Sequence, residues 1–168
     1  MTDAPTYDAK PIRSRTRKVE PEWIDYNGHM NVAYYTLAID QLMDEVFDEL
    51  GVGVALVKTH RMGPMALVNQ IHYVNELLEG EEFYIDLQML DSDHKRMHYF
   101  VTMVHMGKGV TAATYEGLSM NVDLEKRKSA PYPPEALAKI QALTKAHADL
   151  PKPQLAGARI GIRRKSQT

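Results

Sequence analysis

The chain has no cysteine among its 168 residues, which excludes disulfides, thiolate metal sites and a cysteine nucleophile. It also lacks G-x-G-x-x-G and G-x-S-x-G, so neither a dinucleotide fingerprint nor a serine nucleophile elbow is present. The seven histidines are scattered with no H-E-x-x-H spacing, so no metal and no cofactor is expected. Long apolar runs are missing too. No stretch approaches membrane-spanning length, and Met1 to Arg15 is polar, without the apolar core of a signal peptide. There is no basic excess either; a net charge of −2 offers no general attraction to nucleic acid. These absences lead us to expect no membrane and no nucleic-acid partner, with the cytoplasm as the default location. At 44% hydrophobic and 25% charged residues, the composition is that of one soluble domain. Its length allows about two-thirds of the unfolded surface to be buried.

What is present is concentrated in Trp23-Ile24-Asp25-Tyr26-Asn27-Gly28-His29-Met30-Asn31. An acid, an imidazole, two carboxamides and a glycine stand there, directly before a long amphipathic segment. A loop feeding a helix start places a carboxylate beside backbone N–H groups that have no intrahelical partner. Such N–H groups can hold an oxyanion, while the acid attacks or activates water.

The amphipathic segment is Val32 to Leu50, where Tyr35, Ile39, Leu42, Met43, Val46, Phe47 and Leu50 recur at three- and four-residue steps. Asp40, Asp44, Glu45, Asp48 and Glu49 form the wet face, Asn31 fits an N-cap, and Gly51 fits a C-terminal stop. Before the loop, Met1 to Pro11 reads as a loosely ordered arm and Ile12 to Val19 as a strand that Pro21 interrupts. After the helix, Val54 to His60 reads as a short strand and Arg61 to Pro64 as a turn. Strand-like runs follow over Met65–Val74, Glu82–Leu90, His98–His105 and Val110–Val122. The turns between them are Glu79-Gly80-Glu81, Asp91-Ser92-Asp93 and Gly107-Lys108-Gly109. Pro134 fits the first position of a helix reaching about His147. Beyond Pro151 the chain carries Lys152, Arg159, Arg163, Arg164 and Lys165 and no acid. That is a solvated tail, or alternatively a contact for an anionic ligand or partner. Long antiparallel strands after one buried helix make an α+β domain.

The D-x-x-G-H-x-N loop of Asp25, Gly28, His29 and Asn31, the helix carrying Tyr34-Tyr35, and the four following strands together resemble a known family. It is the hot-dog-fold acyl-CoA thioesterases of the 4-hydroxybenzoyl-CoA thioesterase type, in which a curved antiparallel sheet wraps a long central helix. Pro21 to Tyr35, Asp91 to His98 and Ser129 to Glu135 resemble more closely the betainyl-CoA thioesterases associated with carnitine dehydrogenase. One departure stands out: Tyr73-Val74-Asn75-Glu76-Leu77 has no arginine after the tyrosine, where that family has one. The implied organisation is a flexible arm over 1–14, a hot-dog thioesterase domain over 15–130, a C-terminal helix over 131–150 and a basic tail over 151–168.

The resemblance implies an acyl-CoA substrate, with Asp25 as nucleophile or general base and Asn27 and His29 orienting it or the water. Without the family pattern, Asp25 would read as a loop cap bonding nearby N–H groups, and His29 as a residue that holds the turn. The oxyanion donors would be backbone groups at Gly28, Asn31 and Val32. Trp23, Tyr26, Tyr34, Tyr35 and Tyr73 would bind a quaternary-ammonium acyl group on their ring faces, unless they are core residues. Lys95 and Arg96 would meet CoA phosphates, unless they form a solvated hairpin end. Pairing of sheet edges implies a homodimer or a dimer of dimers. Two rivals stand against the thioesterase. A hot-dog hydratase carries D-x-N-P-x-H, in which Asp25 and Asn27 fit but the proline is missing and His29 comes one residue early. A non-catalytic acyl-CoA sensor would add a DNA-binding module, and no helix-turn-helix precedes residue 15.

Overall fold

The computed structural model describes residues 5–162. Arg163, Arg164 and Lys165 of the basic tail, and the first four residues of the arm, lie outside them. The apolar stripe read from the sequence builds α1, Val32–Leu50, which buries every residue named for it and Ala38 besides. Asn31 caps its start by accepting the Ala33 N–H on Oδ1 at 3.0 Å. Gly51, at φ 74°, ends it in the left-handed region that glycine adopts without steric cost.

Around α1 curves one antiparallel sheet, the α+β arrangement expected of the hot-dog fold. Its long strands are β3 (Met62–Tyr73), β4 (Glu82–Ser92), β5 (Arg96–His105) and β6 (Val110–Asp123). They lie in the order β4-β5-β6-β3, so the chain crosses from one edge to the other between β3 and β4. Register shifts at Ala66/Val68, Met89/Asp91 and Met103/Val104 mark irregularities that bend the sheet round the helix. The strands extend past the expected ends. The first hairpin turn falls on Asp93-His94-Lys95 rather than Asp91-Ser92-Asp93, because Asp93 Oδ1 accepts the N–H groups of Lys95 and Arg96.

Three expectations are corrected. Val54–His60 is a helix, α2, and not a strand. Its seven residues are too few for periodicity to decide, and Asp48 of α1 accepts the Val54 N–H at 2.9 Å, which starts a helical turn. The single strand over Ile12 to Val19 is two short ones, β1 (Ile12–Arg13) and β2 (Arg17–Lys18), both paired with β4. Between them Ser14 breaks the ladder by exchanging two hydrogen bonds with Ile85. The arm over 1–14 is therefore docked at its end. Tyr7 and Ile12 pack on the core, and the His147 ring fastens the arm to the sheet. His147 Nε2–H donates to the Lys10 carbonyl at 2.9 Å, and Nδ1 accepts the Met89 N–H at 2.9 Å. Burial pushes the pKa of this imidazole down, which suits a ring that must stay neutral to accept that N–H.

His147 ends α3, Pro134–His147, as the sequence predicts. A short strand unread in the sequence, β7 (Lys128–Ser129), pairs with the end of β6. Beyond α3 the tail is laid across the outer face of the sheet. Gln88 donates to the Pro151 carbonyl at 3.3 Å, the Gly157 N–H donates to Glu116 at 2.6 Å, and Gln70 donates to the Ala158 carbonyl at 2.9 Å. A cleft of about 700 Å³ lies between the arm and α3, but its charges, Asp8 with Lys10 and Arg13 with Asp86, satisfy one another.

Candidate active site

The loop before α1 folds back on itself. Ile24 and Met30 form an antiparallel bridge, the Asp25 N–H donates to the His29 carbonyl at 3.0 Å, and the Gly28 N–H donates to the Asp25 carbonyl at 3.0 Å. Gly28 stands at φ 83°, the conformation such a turn requires of its last residue here. The hairpin is then tied down on both sides. The Met30 N–H donates to Leu77 and the Asn31 N–H to Trp23, each at 2.8 Å.

Asp25 is partly buried, and both of its oxygens are held. Oδ1 accepts the Asn27 N–H at 2.8 Å and Oδ2 accepts Asn31 Nδ2–H at 3.3 Å. Asn31 thus does two jobs that the sequence did not couple: one end of its amide caps α1, and the other orients the acid. Of the expected oxyanion donors, the N–H groups of Asn31 and Gly28 are already taken by the Trp23 and Asp25 carbonyls. Val32 N–H, at the first position of α1, has no such partner among the described residues. Val32 also lines a cavity of about 250 Å³ with His29, Met30, Tyr35, Tyr73, Val74, Asn75 and Glu76. His29 donates from Nδ1 to the Met30 carbonyl at 3.1 Å if it carries its proton there, which leaves Nε2 as an acceptor.

The five aromatic residues do not converge on one cage. Trp23 is 7% exposed, stacked on Tyr34 at 5.6 Å with Arg17 over its ring at 4.8 Å, so it serves the core. Tyr26 is 96% exposed and lines no part of the cavity. Tyr35 and Tyr73 meet edge to face at 5.2 Å, and these two line the cavity. Tyr35 Oη accepts the Leu77 N–H at 3.1 Å. Burial pushes its phenol pKa up, and the negative charge of Glu76 adds to the rise. Lys95 and Arg96 sit at the far end of the β4–β5 hairpin, about 30 Å from the loop along a strand of this length. There Arg96 is paired with Asp93 at 2.6 Å. Among the described residues no group of acids and histidines has the arrangement of a metal site. Glu76, absent from the sequence-based site, was signalled only by the missing arginine in its segment.

A model of the thioesterase-like superfamily matches residues 19–140. The chain is 32% identical over 144 residues to a betainyl-CoA thioesterase of Pseudomonas aeruginosa, covering 86% of this chain and 91% of that protein. It is 33% identical over 154 residues to an L-carnitine dehydrogenase/betainyl-CoA thioesterase of Rhizobium meliloti, covering 92% of this chain. The match spans only 31% of that longer relative. A hypothetical protein from Staphylococcus aureus, solved in complex with CoA, superposes with a TM-score of 0.86 at 24% identity, covering 95% of this chain and 99% of its own.

Proposed function

From the premise that this chain belongs to the thioesterase-like superfamily, we propose that it hydrolyses a short acyl-CoA thioester, betainyl-CoA, to betaine and free CoA. The observation that supports the reading is the Asp25 carboxylate, fixed by two donors of the loop before α1, with Val32 N–H, unpartnered among the described residues, in a small cavity that His29 of the same loop also lines. In one route Asp25 attacks the thioester carbon, CoA leaves as the thiolate, and water cleaves the resulting anhydride. In the other, Asp25 takes a proton from water, the hydroxide adds to the carbonyl, and CoA departs with that proton. In both, the carbonyl oxygen becomes negative and Val32 N–H is the donor that receives it, helped by the helix dipole.

The names of the Pseudomonas and Rhizobium relatives support the betainyl group, as does the Tyr35–Tyr73 pair in the cavity wall. A trimethylammonium group over one such ring gains roughly 0.5–2 kcal/mol, a few-fold to about thirtyfold in specificity. Betainyl-CoA is therefore expected to show a higher kcat/KM than tert-butylacetyl-CoA, in which carbon replaces the quaternary nitrogen at equal volume. A thiol-release assay on both substrates checks this, and equal efficiencies would leave an apolar pocket without cation recognition. The reaction belongs to carnitine degradation in the cytoplasm on this reading.

The working unit is a homodimer or a dimer of dimers. Among the described residues β3 pairs only with β6, so its second edge is open there over twelve residues, with Met65, Leu67, Val68 and Tyr73 exposed. An open, apolar edge of that length is an aggregation hazard unless another chain covers it. Tyr73 belongs both to this edge and to the cavity, so a partner here would also wall the site. Light scattering is expected to give at least twice the monomer mass. A stable, fully active monomer at micromolar concentration would contradict it.

A further inference from the structure

We propose that Glu76 is the counter-ion that makes this cavity select a cationic acyl group. The inference rests on the thioesterase reading above and deepens it by naming a specificity-determining residue. The cavity lining is His29, Met30, Val32, Tyr35, Tyr73, Val74, Asn75 and Glu76. No lysine or arginine is among them, and Glu76 is the one carboxylate. It makes no ion pair among the described residues, so its charge is not already spent within the chain.

Its backbone is also fixed from both sides. Asn75 donates its N–H to Ala112 at 3.0 Å and its side-chain Nδ2–H to Thr111 at 2.7 Å. Leu77 gives its N–H to Tyr35 Oη at 3.1 Å and accepts the Met30 N–H at 2.8 Å. Glu76 therefore hangs from a strap tied to β6, to α1 and to the loop that carries Asp25. The same strap holds it next to Tyr35, whose phenol feels its charge.

The electrostatics call for such a group. An acyl cation two bonds from the carbonyl would sit close to the α1 N-terminus, whose partial positive charge welcomes an oxyanion but repels a cation. A carboxylate in the lining offsets that repulsion, and the edge-to-face tyrosines add ring faces of the same sign. The segment that lacks the expected arginine thus carries the opposite charge.

The test compares kcat/KM for betainyl-CoA and tert-butylacetyl-CoA in the full-length wild type, in Glu76→Gln and in Glu76→Lys. The ratio of the two substrates is the readout, so any general loss of activity cancels. An exposed, solvated charge pair is worth roughly a threefold to tenfold change. The ratio should fall by about that factor in Glu76→Gln, chiefly through KM for betainyl-CoA, and further in Glu76→Lys. A wild type that favours betainyl-CoA together with an unchanged ratio in both variants overturns the role of Glu76 and leaves the substrate reading intact. A wild type with no preference overturns the substrate reading itself, and the counter-ion with it.

Discussion

Asp25→Asn is expected to lower turnover by on the order of a hundredfold or more, with acyl-CoA binding surviving. The amide keeps the shape of the carboxylate, and its oxygen can still accept the Asn27 N–H that Asp25 accepts at 2.8 Å. What is lost is the charge needed to attack a carbonyl or deprotonate water. Thiol release gives kcat and calorimetry gives the affinity. A variant keeping more than half of wild-type turnover would make Asp25 a turn residue and end the mechanism. Asn31→Asp sharpens the result from the other side. It keeps an oxygen for the Ala33 N–H, but it sets a second carboxylate where a donor stands 3.3 Å from Asp25. Two carboxylates that close cannot both ionise easily, so one pKa rises and the activity should move to higher pH. Asn31→Ala removes both the cap on Ala33 and the donor to Asp25, and the lost cap by itself should cost about 1 kcal/mol of stability.

Gly117→Ala is expected to destabilise the fold by roughly 1–3 kcal/mol, the usual cost of overpacking a core. Gly117 pairs across the sheet with Tyr99, and a Cβ there would lie 2.6 Å from the Tyr99 ring and 2.7 Å from that of Tyr115. Those rings stack on each other at 6.3 Å, and Phe47 of α1 meets Tyr99 edge-on at 5.7 Å. Nothing in that column is a flexible chain end that could swing aside. For a chain of this size the expected loss in Tm is about 2–12 °C, read from a thermal melt. Gly117 does not line the cavity, so kcat of the folded fraction should hold. An unchanged Tm would mean that the stacked rings yield.

The sequence by itself determined the elements whose rules are local. The three- and four-residue spacing of apolar side chains settled α1, Asn31 and Gly51 settled its ends, and Pro134 settled the start of α3. The Asp25-to-Asn31 pattern marked the loop and pointed to its family. Alternation gave the long strands to within a few residues, but not the edges they present. The tertiary structure alone decided that Val54–His60 coils as a helix, because Asp48 of the preceding helix receives its first N–H. It also sent Trp23 and Tyr35 into the core and left Tyr73 exposed, with only Tyr35 and Tyr73 reaching the cavity wall, a division that neighbouring positions in the loop and helix cannot reveal. Gly117 reads as an ordinary strand glycine until Tyr99, from the neighbouring strand, closes over it beside Tyr115 of its own strand. Glu76 reads as one acid in an acidic turn until Leu77 and Asn75 are tied to three separate elements around it. The reason is the same each time. Periodicity and capping act over a single turn or strand, whereas burial, free donors and converging charges depend on residues far apart in the chain.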